Sequence, residues 1–255
     1  MTSTPEIMAA RQPPQLLAAL PTEVTKEITG HLAVTSERPM DDFRSLRVTC
    51  SFMRCVCGYC VVCQRVVVAQ FRDDMSWNEL ARYTALLTRL TLISNPDTYF
   101  FTGIVEFFGE HHDPQPSFHE LSCAAMGGHN VAAYLVTLIL YKNNGGTSNN
   151  DTVRWYIRWI EGEEHSMASD SDGPRMLSNK GCRLCHEQAA FWIGRTIWRK
   201  AGEPLPQAPV RGDPSCANSG CGVTFECPQK TLFCSEDCKI HREIVLFQRK
   251  LGIDK

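Results

Sequence analysis

The spacing of four cysteines near the C-terminus constrains this chain more than any other feature. Cys216-x4-Cys221 and Cys234-x3-Cys238 make two tight pairs with twelve residues between Cys221 and Cys234. Each pair presents two thiolates from one short turn, and the intervening loop lets the pairs converge. Four sulfurs at about 2.3 Å then satisfy a tetrahedral zinc ion. Apolar residues are few between Ala217 and Asp237, so the metal takes the place of a core that so small a segment cannot build. Four protein ligands leave no open coordination position, which makes the expected zinc structural rather than catalytic. Cys227 and His241 are substitute ligands. Cys182 and Cys185 belong to a second site, replace the first pair, or are structural thiols of the helical stretch they open.

The remaining cysteines decide the compartment. Thirteen cysteines in 255 residues fit a disulfide framework only in an exported chain, and the first residues, with Glu6, a lone Arg11 and Pro13-Pro14, lack the basic start and continuous apolar block of a secretory signal. The expectation is therefore the cytosol or nucleus, with cysteines as thiols and metal ligands. No stretch reaches the ~18 uncharged apolar residues needed to cross a bilayer; Val131 to Tyr141 is too short. A net charge of −2 and the absence of any long Lys/Arg run argue against nucleic-acid and anionic-membrane partners and leave protein partners. Cys55, Cys57, Cys60 and Cys63 crowd together, but two adjacent tight pairs with almost no chain between them do not readily surround one ion. The segment also runs into the apolar stretch Val61 to Ala69, so these are read as packing thiols.

Toward the N-terminus, Leu20, Val24 and Ile28 recur every four residues, Glu23 complements a helix start, and Gly30 offers a stop. Pro39 interrupts the chain before Asp41-Asp42 cap a second helix bearing Phe43 and Leu46, and Thr49 to Arg54 continue as a third. Three short helices this rich in apolar residues have surface left over for a partner helix. Leu20-Pro21-x-Glu23-Val24, Ile28-x3-Leu32 and Leu46-Arg47-x-Thr49-Cys50-x2-Met53-Arg54 together resemble the F-box, the segment that docks Skp-family adaptors of cullin-based ubiquitin ligases. The resemblance implies Leu20, Pro21, Val24, Ile28, Leu32, Phe43, Leu46, Cys50 and Met53 as adaptor-facing or supporting positions. Met53 stands where that family usually has tryptophan, and the link between Leu32 and Asp42 is longer than the common pattern.

The middle of the chain reads as successive helices. Ser76 to Glu79 has the form of a capping box before Leu80, Leu87 and Leu90; Asn95-Pro96 breaks that run; Phe100, Ile104, Phe107 and Phe108 line the next helix. Ser117 to Glu120 is a second capping box, followed by helices bearing Leu121, Ala124 and Ala125, then Val131, Leu135, Leu138 and Ile139, then Val153, Ile157 and Ile160. Ala124-Ala125-x-Gly127-x-His129-x2-Ala132-x-Tyr134-Leu135 resembles the Sel-type helical repeats related to tetratricopeptides, which implies a peptide-binding face. Tyr134 and His129 themselves are read as core and hydrogen-bonded structure. Residues Glu161 to Pro174 are acidic, small and turn-forming. Ala189, Ala190, Ile193 and Ile197 line a later helix, and Pro204, Pro206, Pro209 and Pro214 enforce an extended connection. Phe233-Cys234-x3-Cys238 resembles the second half of a MYND-type zinc finger.

These readings give a mainly α chain: a disordered start at 1–15, an F-box at 16–70, a helical-repeat-like region at 71–162, an acidic linker at 163–180, and a helix with a cysteine-rich, zinc-stabilised segment at 181–255. The ordered combination resembles a group of plant F-box proteins. The resemblance implies a non-catalytic substrate receptor of an SCF-type ubiquitin ligase, which docks a Skp adaptor, through it a cullin, and holds a protein to be ubiquitylated. The alternative is a MYND-like zinc-binding interaction module outside any ligase. A cysteine hydrolase needs a thiol, a histidine and an orienting group in one geometry, and the adjacency of Cys185 and His186 does not supply it.

Overall fold

Prolines open the first two helices without a side-chain cap, so Asp41 and Asp42 lie inside the second rather than capping it, and Cys50 caps the third. The computed structural model describes residues 19–69, 71, 79–109, 118–143, 151–162, 177–197, 216, 221–226 and 229–251, and the chain divides into two units, Met1–Ile93 and Ser94–Lys255. Among the described residues it is mainly helical, as expected. Residues 1–15, the capping-box positions Ser76 and Ser117, Trp77, the acidic stretch from Glu163 to Pro174, the four-proline connection and Cys227 lie outside the described residues.

In the first unit, Pro21 precedes α1 (Thr22–Thr35). Pro39 occupies the first turn of α2 (Pro39–Thr49) with Asp41 and Asp42 at its positive end. Cys50 is extended, and its sulfur accepts the Met53 amide at 3.5 Å to cap α3 (Ser51–Val56). The short α4 (Cys60–Cys63) packs on α1. Gln64 Nε2 donates to the Ile93 carbonyl at 2.8 Å, which ties the end of α4 to the end of α5 (Leu80–Leu92). Gly30 does not stop the first helix, which runs through it to Thr35. The glycine serves a close approach instead: a Cβ there would lie 2.8 Å from Arg65 Nη1, and the same guanidinium pairs with Glu27 at 2.8 Å.

The second unit opens with Asn95, whose side chain accepts the Thr98 amide at 3.0 Å, and Pro96 at the start of α6 (Pro96–Phe108). It is followed by α7 (His119–Met126), α8 (Asn130–Asn143) and α9 (Asp151–Glu161). Each of these packs on the next, and α8 also receives α10 (Lys180–Ile197) and α11 (Glu236–Lys250). Every residue of α8 from Val131 to Leu138 is buried, the pattern of a central helix that is apolar all round. Ala124, Ala125, Ala132 and Ala133 are buried where α7 meets α8, so small side chains allow the close packing. Ala189, Ala190 and Ile193 are buried on α10.

The periodicity did not reveal a small antiparallel sheet, β1 (Leu177–Ser178), β2 (Val223–Glu226) and β3 (Gln229–Phe233), in the order β1-β3-β2. Leu177, at the end of the stretch read as a linker, pairs with Phe233, and Val223 pairs with Leu232. Two-residue strands carry too little pattern to be seen in sequence.

Candidate functional site

The sheet delivers the cysteines. Cys221 ends in a turn where Gly222 adopts a φ of +75°, a backbone that favours glycine, and the Gly222 amide donates to the Leu232 carbonyl at 2.8 Å. Cys234 follows β3 directly. Ser235 caps α11 by accepting the Cys238 amide at 3.2 Å, which places Cys238 in the helix's first turn. Cys216 completes the set.

The sulfurs of Cys216, Cys221, Cys234 and Cys238 all lie within 4.8 Å of one another. Cys216 and Cys234 are 3.2 Å apart, Cys234 and Cys238 3.5 Å, and the Cys234 amide reaches the Cys221 sulfur at 3.5 Å. Four metal–sulfur bonds of about 2.3 Å in a tetrahedron need sulfur separations of about 3.8 Å, so the cluster has the dimensions to hold a metal ion. Burial, followed by hydrogen bonds with the neighbouring thiols, pushes Cys238 up to about 12; burial likewise raises Cys221. A metal bound here must therefore displace protons. Among the described residues this is the sole group of three or more His, Cys, Asp or Glu close enough for a metal. His241, on α11, is not part of it.

Cys182 and Cys185 are likewise outside the cluster. Both are buried in α10, where burial drives the Cys182 thiol well above its ordinary value and Cys185 up to about 12. Cys57 is buried, and burial raises both it and Cys63, whose sulfur donates to the Cys57 carbonyl at 3.4 Å.

Beside the cluster lies a buried polar network that the sequence reading missed. Lys239, next to Cys238, pairs with Glu161 at 3.0 Å with side chains only 1% and 2% exposed. The same carboxylate accepts the Gly181 and Cys182 amides, each at 3.0 Å, at the positive end of α10. One turn along α11, Glu243 accepts from Asn179 and from the Tyr134 hydroxyl, both at 3.2 Å. Burial, then the Glu243 charge, drives the Tyr134 phenol well above its ordinary value, so it stays a donor. With its one proton given to Glu243, the phenol oxygen, 3.2 Å from His186 Nδ1, takes that nitrogen's hydrogen in the tautomer that satisfies both. Asn179 Oδ1 accepts the Thr231 amide of β3 at 3.0 Å. The signal in the sequence was a charged pair at i and i+4, Lys239 and Glu243, on the same stripe as Ile240 and Phe247. His129 is structural too. Its Nδ1 accepts the Ala132 amide at 3.1 Å, its Nε2 lies 3.3 Å from Asp97, and its ring stacks on Phe100.

In the first unit, α1 is inverted relative to an ordinary surface helix. It buries Thr25, Thr29, Gly30 and Ala33, while Val24 and Ile28 are 45% and 52% exposed and Leu20, just before the helix, is 38% exposed. The two threonine hydroxyls tolerate burial because each bonds back one turn, Thr25 to the Pro21 carbonyl and Thr29 to the Thr25 carbonyl. Of the positions expected to serve adaptor docking, Leu20, Pro21, Val24 and Ile28 are exposed. Leu32, Leu46 and Cys50 are half-buried, and Phe43 and Met53 are core. Among the described residues no helix is long and apolar enough to cross a membrane. No protein-family model, curated protein or solved structure matches the chain.

Proposed function

We propose that the chain is a non-catalytic substrate receptor of a cullin-based ubiquitin ligase. The observation that carries this reading is the inverted α1: Leu20, Val24 and Ile28 form an exposed apolar stripe at four-residue spacing while threonines fill the buried side. A helix with its apolar face outward in water is stable where a partner helix covers that face. The stripe falls on the residues that resemble the F-box, so its partner is a Skp-family adaptor. Phe43 and Met53 support it from within, Met53 filling the core position commonly held by a tryptophan.

The second unit, with its consecutive helices packed like a repeat stack around α8 and a structural zinc on Cys216, Cys221, Cys234 and Cys238, holds the protein substrate. Cys123, whose sulfur lies 3.6 Å from His119 Nε2, is raised by burial, as are the thiols of Cys182 and Cys185, which speaks against a thiolate nucleophile at any of the three. The cell compartment under this reading is the cytosol or nucleus, where adaptor and cullin work.

Co-purification of the full-length chain with a Skp adaptor tests the reading. The wild type is expected to capture the adaptor, and Ile28→Asp, on an exposed position, to lose at least about ten-fold in affinity because a charge must be desolvated in an apolar interface. Leu20→Ala/Pro21→Ala is expected to lose most binding as well. Undiminished capture by both variants at equal expression defeats the assignment, and absence of capture by the wild type transfers support to a MYND-like interaction module outside a ligase.

A further inference from the structure

A cavity of about 1070 Å³ opens in the first unit between α2, α3 and α5, and neither adaptor docking through α1 nor metal binding uses it. Six arginines line it, Arg38, Arg44, Arg47, Arg54, Arg82 and Arg89, and among the described residues no lysine does. Asp41 holds Arg44 at 3.3 Å and Glu79 holds Arg82 at 2.8 Å. Among the described residues no carboxylate lies within ion-pair distance of Arg38, Arg47, Arg54 or Arg89. Beside these exposed arginines part of the lining is apolar, with Phe43, Val66 and Leu90 at 5% exposure or less.

Arginine rather than lysine matters, because the planar guanidinium forks onto a carboxylate through two parallel hydrogen bonds and stays charged at any physiological pH. A concave wall of like charges over a low-dielectric floor focuses the potential and draws in anions. The wall is not uniformly positive, since Glu37, Asp41 and Glu79 belong to the same lining. Evenly spaced phosphates, as along a nucleic acid, would meet those carboxylates. A peptide with acidic side chains set among apolar ones avoids them and fills the floor as well.

We propose that this cavity is a binding site for an acidic peptide segment, in which Asp or Glu side chains engage the uncompensated arginines and intervening Phe or Leu side chains seat against Phe43 and Leu90. The site goes beyond the adaptor-docking reading: of the positions given to docking only Phe43 lines it, as part of its buried floor, while Leu20, Val24 and Ile28 take no part.

The test uses the full-length, zinc-supplied chain and fluorescence anisotropy with a labelled short peptide in which Asp and Glu alternate with Phe and Leu. Saturable binding that weakens as salt rises is expected, with loss on the counterpart peptide carrying Asn and Gln. Arg38→Gln/Arg89→Gln is expected to weaken binding by at least about ten-fold, with Arg38→Lys/Arg89→Lys falling between it and the wild type. Both arginines are exposed, so an unchanged thermal transition and unchanged adaptor capture are expected of the variants. Equal binding of the Asn/Gln peptide, unchanged affinity in the Arg→Gln variant, or tighter binding of a single-stranded oligonucleotide each overturns the proposal.

Discussion

The Lys239–Glu161 pair shows how much a single residue can commit. Its side chains are almost fully buried, and the Glu161 carboxylate also accepts two amides at the start of α10. Removing one member of such a pair strands the other charge away from water, a loss of about 3–5 kcal/mol, whereas replacing both with apolar side chains avoids that penalty. Glu161→Leu is therefore expected to be strongly destabilising, and the double variant Glu161→Leu/Lys239→Met more stable than the single. Denaturant unfolding of the three proteins measures the difference; a double variant no more stable than the single contradicts the account. Tyr134 makes the same point from the other side. Its helical spacing marked it as core, while the Glu243 and His186 groups that satisfy its hydroxyl come from residues 109 and 52 positions away.

At the scale of elements, the close approach of α6 and α7 sets a tighter limit than either helix's own sequence. A Cβ on Gly103 would lie 2.8 Å from both the Leu121 amide nitrogen and its Cγ. The backbone of α7 cannot rotate aside as a flexible side chain can, so the gain in helix propensity from Gly103→Ala is outweighed by overpacking of about 1–3 kcal/mol. A lowered thermal midpoint is expected, and a raised one would show that the two helices separate freely. The helices themselves were legible because α6 and α9 repeat apolar residues at a period near 3.6, because α8 is a long apolar run, and because Asn95-Pro96 is both a break and a cap. Gly30 was misread because a glycine's chemistry is the same whether it ends a helix or admits a neighbour, and the neighbour, Arg65, is remote in sequence. The cysteine cluster was legible from spacing alone, since ligand geometry constrains separation along the chain. The Arg-lined cavity was not, because its arginines are scattered from residue 38 to residue 89 and no local period joins them.

For the whole molecule, α11 carries Cys238 in its first turn and Lys239, Ile240, Glu243 and Phe247 on its buried stripe. The four-cysteine cluster and the polar core of the second unit therefore share the first turns of one helix. Without a metal, four thiols replace the ligand bonds, and the turn at Cys221, the end of β3 and the start of α11 lose the cross-link that offsets a conformational cost of about 1–2 kcal/mol per ordered residue. Chelation of the zinc-supplied protein is thus expected to strip hydrogen-exchange protection from residues 221–251, and next from α10, which meets α11 through its buried stripe. The four cysteines all belong to the second unit, Ser94–Lys255, so the adaptor capture proposed for the α1 stripe is expected to survive chelation. Cys234→Ser removes one thiolate and is expected to reproduce the chelated pattern with little zinc retained in elemental mass spectrometry. Cys57→Ser alters a packing thiol of the first unit and is expected to leave zinc content unchanged. Full zinc occupancy in the Cys234 variant, or undiminished protection over 221–251 after chelation, would place the folding of this segment on its side-chain core rather than on the metal.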